Sequence, residues 1–195
     1  MKDLILTDIS KAFGEKSVIK HFSHRFESGR VTVISGQSGC GKTTLLNLIA
    51  GLTSPDSGSM EGVPDTVSYV FQEDRLCEDF TALANIRLVC GKRLSKEAIL
   101  TCLGELGITD GDKRPVKEYS GGMKRRVAIA RALCHNADCV LLDEPFKGLD
   151  DTLKKDVIAC VLRRTAGKTV ICVTHDAAEA EMLGGRNLFL TREDA

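Results

Sequence analysis

The sequence contains no tryptophan, and aromatic residues make up 5% of its 195 positions. That scarcity argues against a surface built to stack nucleic-acid bases. Charge of one sign is also missing in excess: 27 Lys and Arg balance 27 Asp and Glu, for a formal net charge of zero. No global field therefore draws the chain to nucleic acid or to an anionic membrane, and direct nucleic-acid binding is not expected. No apolar run approaches the ~18 residues that a bilayer-spanning helix needs. Repeats, low-complexity segments and coiled-coil heptads are absent too. The opening residues carry no signal-peptide pattern, which points to a reducing, cytosolic setting. Cysteine is plentiful, but its eight residues are scattered singly with no C-x₂-C pair. Neither a disulfide framework nor a zinc site is expected, and most of the cysteines should be small buried hydrophobes. The length suits a single domain, residues 1–195, with a substantial core.

What is present is a phosphate-binding loop. Gly36-Gln37-Ser38-Gly39-Cys40-Gly41-Lys42-Thr43 fits G-x-x-x-x-G-K-[ST] at every fixed position. It follows the β-rich run Val31–Ile34 and precedes the helical pattern Thr44–Ala50. That strand–loop–helix context is the one a P-loop requires; without it, the same residues could be a Gly-rich turn that happens to contain Lys-Thr. Gly36, Gly39 and Gly41 allow backbone conformations in which successive N–H groups converge on phosphate oxygens. The helix start adds unpaired N–H groups and the positive end of its dipole. Lys42 would reach the β- and γ-phosphates, and the Thr43 hydroxyl would ligate Mg²⁺. A nucleoside triphosphate is the expected ligand. Cys40, inside the loop, is expected to be a reactive thiol that bound nucleotide protects.

Along the chain, Leu4–Ile9 alternates as a half-buried strand does, and Val18–Phe26 is also strand-like. Ser54–Gly58 is a dense turn signal, and Val67–Phe71 reads as a strand with Gln72 at its end. Residues 78–118 change character: Ala82–Cys90 and Lys96–Leu106 have helical apolar spacing, with Ser95 as an N-cap. Ser120 caps a long amphipathic helix from Gly121 to Cys134. From there β and α patterns alternate, at Cys139–Leu142, Asp151–Thr165, Thr169–Val173, Asp176–Leu183 and Asn187–Leu190. The expected fold is α/β, with a mostly parallel sheet flanked by helices. Residues 1–77 and 135–195 would form this core with an N-terminal antiparallel β part, and about 78–134 a helical insert.

Two further constellations point to the same chemistry. Cys139–Leu142 is apolar throughout and runs into Asp143-Glu144, at the end of a strand where ligand sites of α/β sheets lie. Asp143 is placed to bind Mg²⁺, and Glu144, pointing elsewhere, to polarise an attacking water. Ser120-Gly121-Gly122 opens a helix and exposes N–H groups to a second anion. Two phosphate-seeking helix starts in one chain are explained if each serves a different nucleotide, sandwiched in a two-fold dimer.

These residues together resemble the nucleotide-binding subunit of ABC transporters, over essentially the whole chain. In that likeness Gly36–Thr44 is the Walker A loop, and Phe13 sits where the family stacks an aromatic on adenine. Gln72 matches the Q-loop glutamine, which touches Mg²⁺. Tyr119–Met123 matches the signature written LSGGQ, and Asp143-Glu144 is Walker B with its catalytic glutamate. Gly148-Leu149-Asp150 corresponds to the D-loop, and His175 to the switch histidine at the γ-phosphate. The resemblance implies an ATPase in which Ser120, Gly121 and Gly122 of one subunit meet the ATP held by Lys42 of another. Glu144 and His175 would then activate water for hydrolysis, which is catalysis by orientation and charge stabilisation. Tyr119 and Met123 depart from the family's Leu and Gln, and Lys147 stands where many members have a small residue.

Phe71–Leu76 and Asp143–Asp150 further resemble nitrate, sulfonate and taurine importer ATPases. The likeness implies separate membrane permease subunits, with Glu73–Cys90 as their docking surface, and an extracytoplasmic substrate-binding protein. It also implies a place on the cytoplasmic face of the membrane, and cassettes that associate weakly until ATP pairs them. A soluble ABC protein acting on nucleic acid or ribosomes is the alternative, but this chain has neither a long coiled coil nor a second cassette. A P-loop kinase or GTPase leaves the signature and His175 unexplained. The chain ends soon after Leu190, so no appended regulatory domain is expected.

Overall fold

A computed structural model describes residues 2–191. Two sheets organise it. The strands β1 (Leu4–Phe13), β2 (Lys16–Phe26) and β4 (Ser57–Glu61) form an antiparallel sheet in the order β2-β1-β4. The strands β5 (Val67–Val70), β6 (Cys139–Asp143), β7 (Thr169–Val173), β3 (Val31–Gly36) and β8 (Arg186–Leu190) form a second sheet in that order. Every pairing in the second sheet is parallel. The α/β architecture is the one expected.

The parallel sheet divides two apolar cores, and side-chain alternation along its strands explains how. Val33, Val140, Leu142, Val170 and Cys172 face one core, while Ile34, Cys139, Leu141, Ile171 and Val173 face the other. Both faces are covered, so β6 and β7 are buried at every position and read as unbroken apolar runs. The first core is filled from α2 (Ala82–Cys90), α3 (Lys96–Glu105), α4 (Gly121–Cys134) and α5 (Asp151–Arg164). The second is closed by α1 (Lys42–Ile49) and the inward residues of the antiparallel sheet, among them Leu6, Ile9, Phe22 and Phe26.

Helix starts follow local sequence. Thr81, Ser95, Ser120, Asp150 and Asp176 each accept a backbone N–H at the first turn of α2 to α5 and of α6 (Ala177–Leu183). In chain order α2, α3 and α4 all lie between β5 and β6. Strand β4 is a departure from expectation, since its first residues fall in the Ser54–Gly58 turn signal. Its side chains are nearly all exposed, and it is held by main-chain pairing with β1, from Ile5↔Glu61 to Ser10↔Ser57. A 3₁₀ turn at Val116–Glu118, ahead of α4, was likewise not expected.

Candidate active site

Four strands of the parallel sheet deliver the site from their carboxyl ends. β3 leads into the glycine-rich loop, β5 into Phe71-Gln72, β6 ends in Asp143 followed by Glu144, and β7 leads into Thr174-His175. Between them lies a cleft of about 610 Å³, lined by the loop glycines, Ser38, Lys42, Thr43, Thr44, Gln72, Asp143, Glu144 and His175. Residues scattered from 36 to 175 thus meet at one place, as the topology of an open α/β sheet requires.

The loop's shape depends on glycine. Gly41, the N-cap of α1, has φ 90°, and a Cβ there would lie 2.7 Å from the Val18 carbonyl oxygen. Gly36 has φ 150°, and a Cβ would come 2.3 Å from the Leu190 carbonyl oxygen. No side chain caps α1, so its first N–H groups face the cleft as anion donors. Lys42 Nζ curls over the loop and donates to the carbonyls of Gly36 and Gln37, both at 2.8 Å.

The Thr43 hydroxyl donates to Asp143 Oδ2 at 2.7 Å, joining the loop to the end of β6. Asp143 is only 1% exposed. Burial pushes its carboxyl above the ordinary range and the nearby Glu144 adds to this, while Thr43 and the charges of Lys42 and Arg125 oppose it. Glu144 takes a left-handed backbone conformation, φ 49°, and its N–H donates to the Val173 carbonyl at 2.9 Å. The turn brings its carboxylate to His175, with Oε1 3.1 Å from Nδ1.

Other residues singled out from the sequence lie elsewhere. Phe13, at the end of β1, is 54% exposed and does not line the cleft; Lys11 Nζ sits 5.5 Å from its ring centroid. Ser120 caps α4, its Oγ accepting from Met123 N at 3.3 Å. Gly121 and Gly122 follow it, and a Cβ on Gly122 would sit 3.5 Å from the Gly148 carbonyl oxygen. Asp150 caps α5 through Leu153 N at 3.0 Å. None of these five lines the cleft of its own chain. Cys40 corrects an expectation: its side chain turns inward and is fully buried with Leu45, Leu46 and Ile34.

Lys16, Val18 and Val173 also line the cleft, and no sequence motif marks them. An arginine clamp is likewise unmarked by any motif. Arg125 on α4 donates to the Phe71 carbonyl at 2.7 Å and to the Gln72 carbonyl, and Arg131 donates to Asp74 and Arg75 carbonyls at 3.0 and 2.7 Å. Their signal was a basic run on a helix otherwise read as amphipathic. Beside this segment Phe71 stacks between Tyr69, 4.0 Å between centroids, and the Arg75 guanidinium, 3.9 Å away. These three residues edge a second cavity of about 410 Å³, also lined by Leu52, Val89 and Ala132.

The family model for ABC transporters matches residues 19–147. The chain belongs to the ABC transporter family. The cassette is 36% identical over 196 residues to the aliphatic sulfonates import ATP-binding protein SsuB of Albidiferax ferrireducens, covering 96% of this chain and 70% of that protein. It is 37% identical over 205 residues to the thiamine import ATP-binding protein ThiQ of Brucella abortus, covering 96% and 84%. Its fold matches the dimeric structure of MJ0796, a bacterial ABC transporter cassette, with a TM-score of 0.87 at 28% identity over 97% of this chain and 94% of that one. A post-hydrolysis dimer of the same protein with ADP and Pi superposes with a TM-score of 0.86 over the same shares. The chain is an ABC-type ATPase cassette. No helix among its described residues is long and apolar enough to cross a membrane.

Proposed function

We propose that this cassette binds and hydrolyses ATP to power a separate membrane permease that imports a small solute. The observation that carries the reading is the meeting of Lys42, the Thr43–Asp143 contact and the Glu144–His175 pair in one cleft. Lys42 and the N–H groups of Gly36–Thr44 hold the β- and γ-phosphates, with Ser38, Gly39, Cys40 and Gly41 contributing main chain. Thr43 and Asp143 present hard oxygen donors side by side, a set that suits Mg²⁺, and Gln72 adds a third. When bound, that ion would neutralise phosphate charge.

Glu144 accepts or steers the proton of the attacking water, and His175 holds its carboxylate and faces the γ-phosphate. Phe13 stacks on adenine when the nucleotide extends past the cleft. Ser120, Gly121, Gly122 and Asp150, all away from their own cleft, serve the ATP of a second cassette in a closed pair, as Ser120's exposed position allows. The apolar cavity beside Phe71 and Arg75 takes the permease, within the Glu73–Cys90 stretch and its neighbours. The cassette then lies on the cytoplasmic face of the membrane, and an extracytoplasmic binding protein delivers the cargo. The two named relatives handle sulfonates and thiamine, so cargo choice belongs to the permease.

Glu144→Gln tests the reading. Hydrolysis should fall by about a hundredfold or more while ATP drives a dimer visible by size-exclusion chromatography. Unchanged turnover would remove Glu144 from its role.

A further inference from the structure

Lys147 is a cation whose task the nucleotide machinery leaves open. It follows Glu144 by three residues on the turn before α5, and its N–H donates to the Glu144 carbonyl at 3.4 Å. It lines the nucleotide cleft together with Lys42, Glu144 and His175. It also lines an adjoining hollow of about 160 Å³ shared with Glu144, Gly148, Lys154 and His175. The two lysines of that hollow differ. Lys154 is tied to Asp176 at 3.1 Å and Glu179 at 3.0 Å. Among the described residues, no carboxylate lies within ion-pair distance of the Lys147 ammonium.

We infer that Lys147 binds the γ-phosphate of ATP in its own cleft. This rests on the ATPase reading above. Lys42 is bound to the loop carbonyls, and so approaches the phosphates from the P-loop. Lys147 stands instead at the Glu144–His175 side, where the terminal phosphoryl group must lie if those residues act on it. A lysine ammonium is a compact charge on a flexible stem, suited to a phosphate that arrives and leaves. Asp143 and Glu144 place two carboxylates at this end of the cleft, and a cation there offsets their repulsion of the terminal phosphate. ADP has no group at that position, so Lys147 separates triphosphate from diphosphate.

Isothermal titration of Lys147→Met and Lys147→Arg against wild type tests this, using ADP and a non-hydrolysable β,γ-imido analogue of ATP, each with Mg²⁺. Lys147→Met should bind the triphosphate about tenfold more weakly, the size of one lost charge-assisted hydrogen bond, and leave ADP affinity unchanged. Lys147→Arg should restore most of the loss. Because Lys147 is exposed, the nucleotide-free melting temperature of both variants should match wild type. If wild type binds both nucleotides and Lys147→Met keeps the same ratio between them, this inference is overturned and the ATPase reading stands. If wild type binds neither, the ATPase reading falls and takes this inference with it.

Discussion

Arg125, on the helix that Ser120 caps and Gly121-Gly122 open, holds the main-chain carbonyl of Gln72, on the loop that follows β5. The two residues are 53 apart in sequence, and Arg125 is buried. Its Nε also lies 3.2 Å from Asp74 Oδ1, without hydrogen-bond alignment. Burial raises the Asp74 carboxyl, and the Arg125, Lys124 and Arg131 charges offset part of this. Arg125 thus ties the start of α4 to the glutamine that enters the nucleotide cleft. Arg125→Ala should lower stability by about 2–4 kcal/mol, because two carbonyls and a half-buried carboxylate lose their partner. Chemical denaturation measures this. Arg125→Lys should recover only part of it, since an ammonium cannot span both carbonyls in the fork geometry of a guanidinium.

The groove beside Phe71 leads to a second expectation. Val89 and Leu88 are exposed apolar residues at the end of α2, and Val89 lines the groove. Leu76, by contrast, packs against the core, so its truncation would confuse folding with docking. Val89→Asp should leave the ATPase rate of the isolated cassette unchanged and weaken co-purification with the permease by about tenfold or more, the scale of a charge placed in an apolar contact. Retained co-purification would move the docking surface elsewhere.

Thiol accessibility gives a third. Of the eight cysteines, Cys77 is exposed and the others, Cys40 included, are buried. Burial also pushes the Cys139 thiol up to about 12 and the Cys172 thiol well above its ordinary range. Brief alkylation of the native protein, read by peptide mass spectrometry, should modify Cys77 first and leave Cys40 untouched whether or not ATP is present.

The pH dependence of stability supplies a fourth. Glu105 on α3 receives two hydrogen bonds of 2.9 Å from Arg164 and one of 2.7 Å from Arg163, both on α5. Arg164 is the main reason its carboxyl is held down to about 2, against an ordinary 4.5. A carboxyl depressed in the folded state contributes stability that is complete above pH 4.5 and is lost as pH falls towards 2. Glu105→Gln should therefore cost about 1 kcal/mol at neutral pH, given its partial solvation, and close to nothing near the lower pH. A gap between the two proteins that persisted at that pH would contradict the assignment.

How much of this was legible depended on what kind of force placed each residue. Helices α2 and α4 occupy the bounds their apolar spacing indicated, and α3 ends one residue short of its expected Leu106, because Thr81, Ser95 and Ser120 satisfy N–H groups locally. Strands β6 and β7 announced themselves as apolar runs because both faces are buried. Asp143 and Glu144 could be located because strand ends carry the sites of such sheets, and His175 through its resemblance to the family's switch histidine. Strand β4 could not, since Ser57–Glu61 buries almost nothing and is fixed by backbone pairing that leaves no side-chain pattern. Nor could the run Lys124-Arg125-Arg126 disclose which cation turns inward; that depended on where β5 would deliver Phe71 and Gln72. Cys40 was misjudged for a related reason, as the loop's glycines set its backbone while the core beneath decided where its sulfur points.

The left-handed turn at Glu144 bears on what sequence change can do here. Glycine would adopt that φ freely, whereas a residue with a side chain gives up about 1 kcal/mol to hold it. Random drift judged on robustness alone would thus tend to erase the carboxylate at this position. If Glu144 acts on water as proposed, working chemistry and sturdiness pull the chain in opposite directions at this position beside His175.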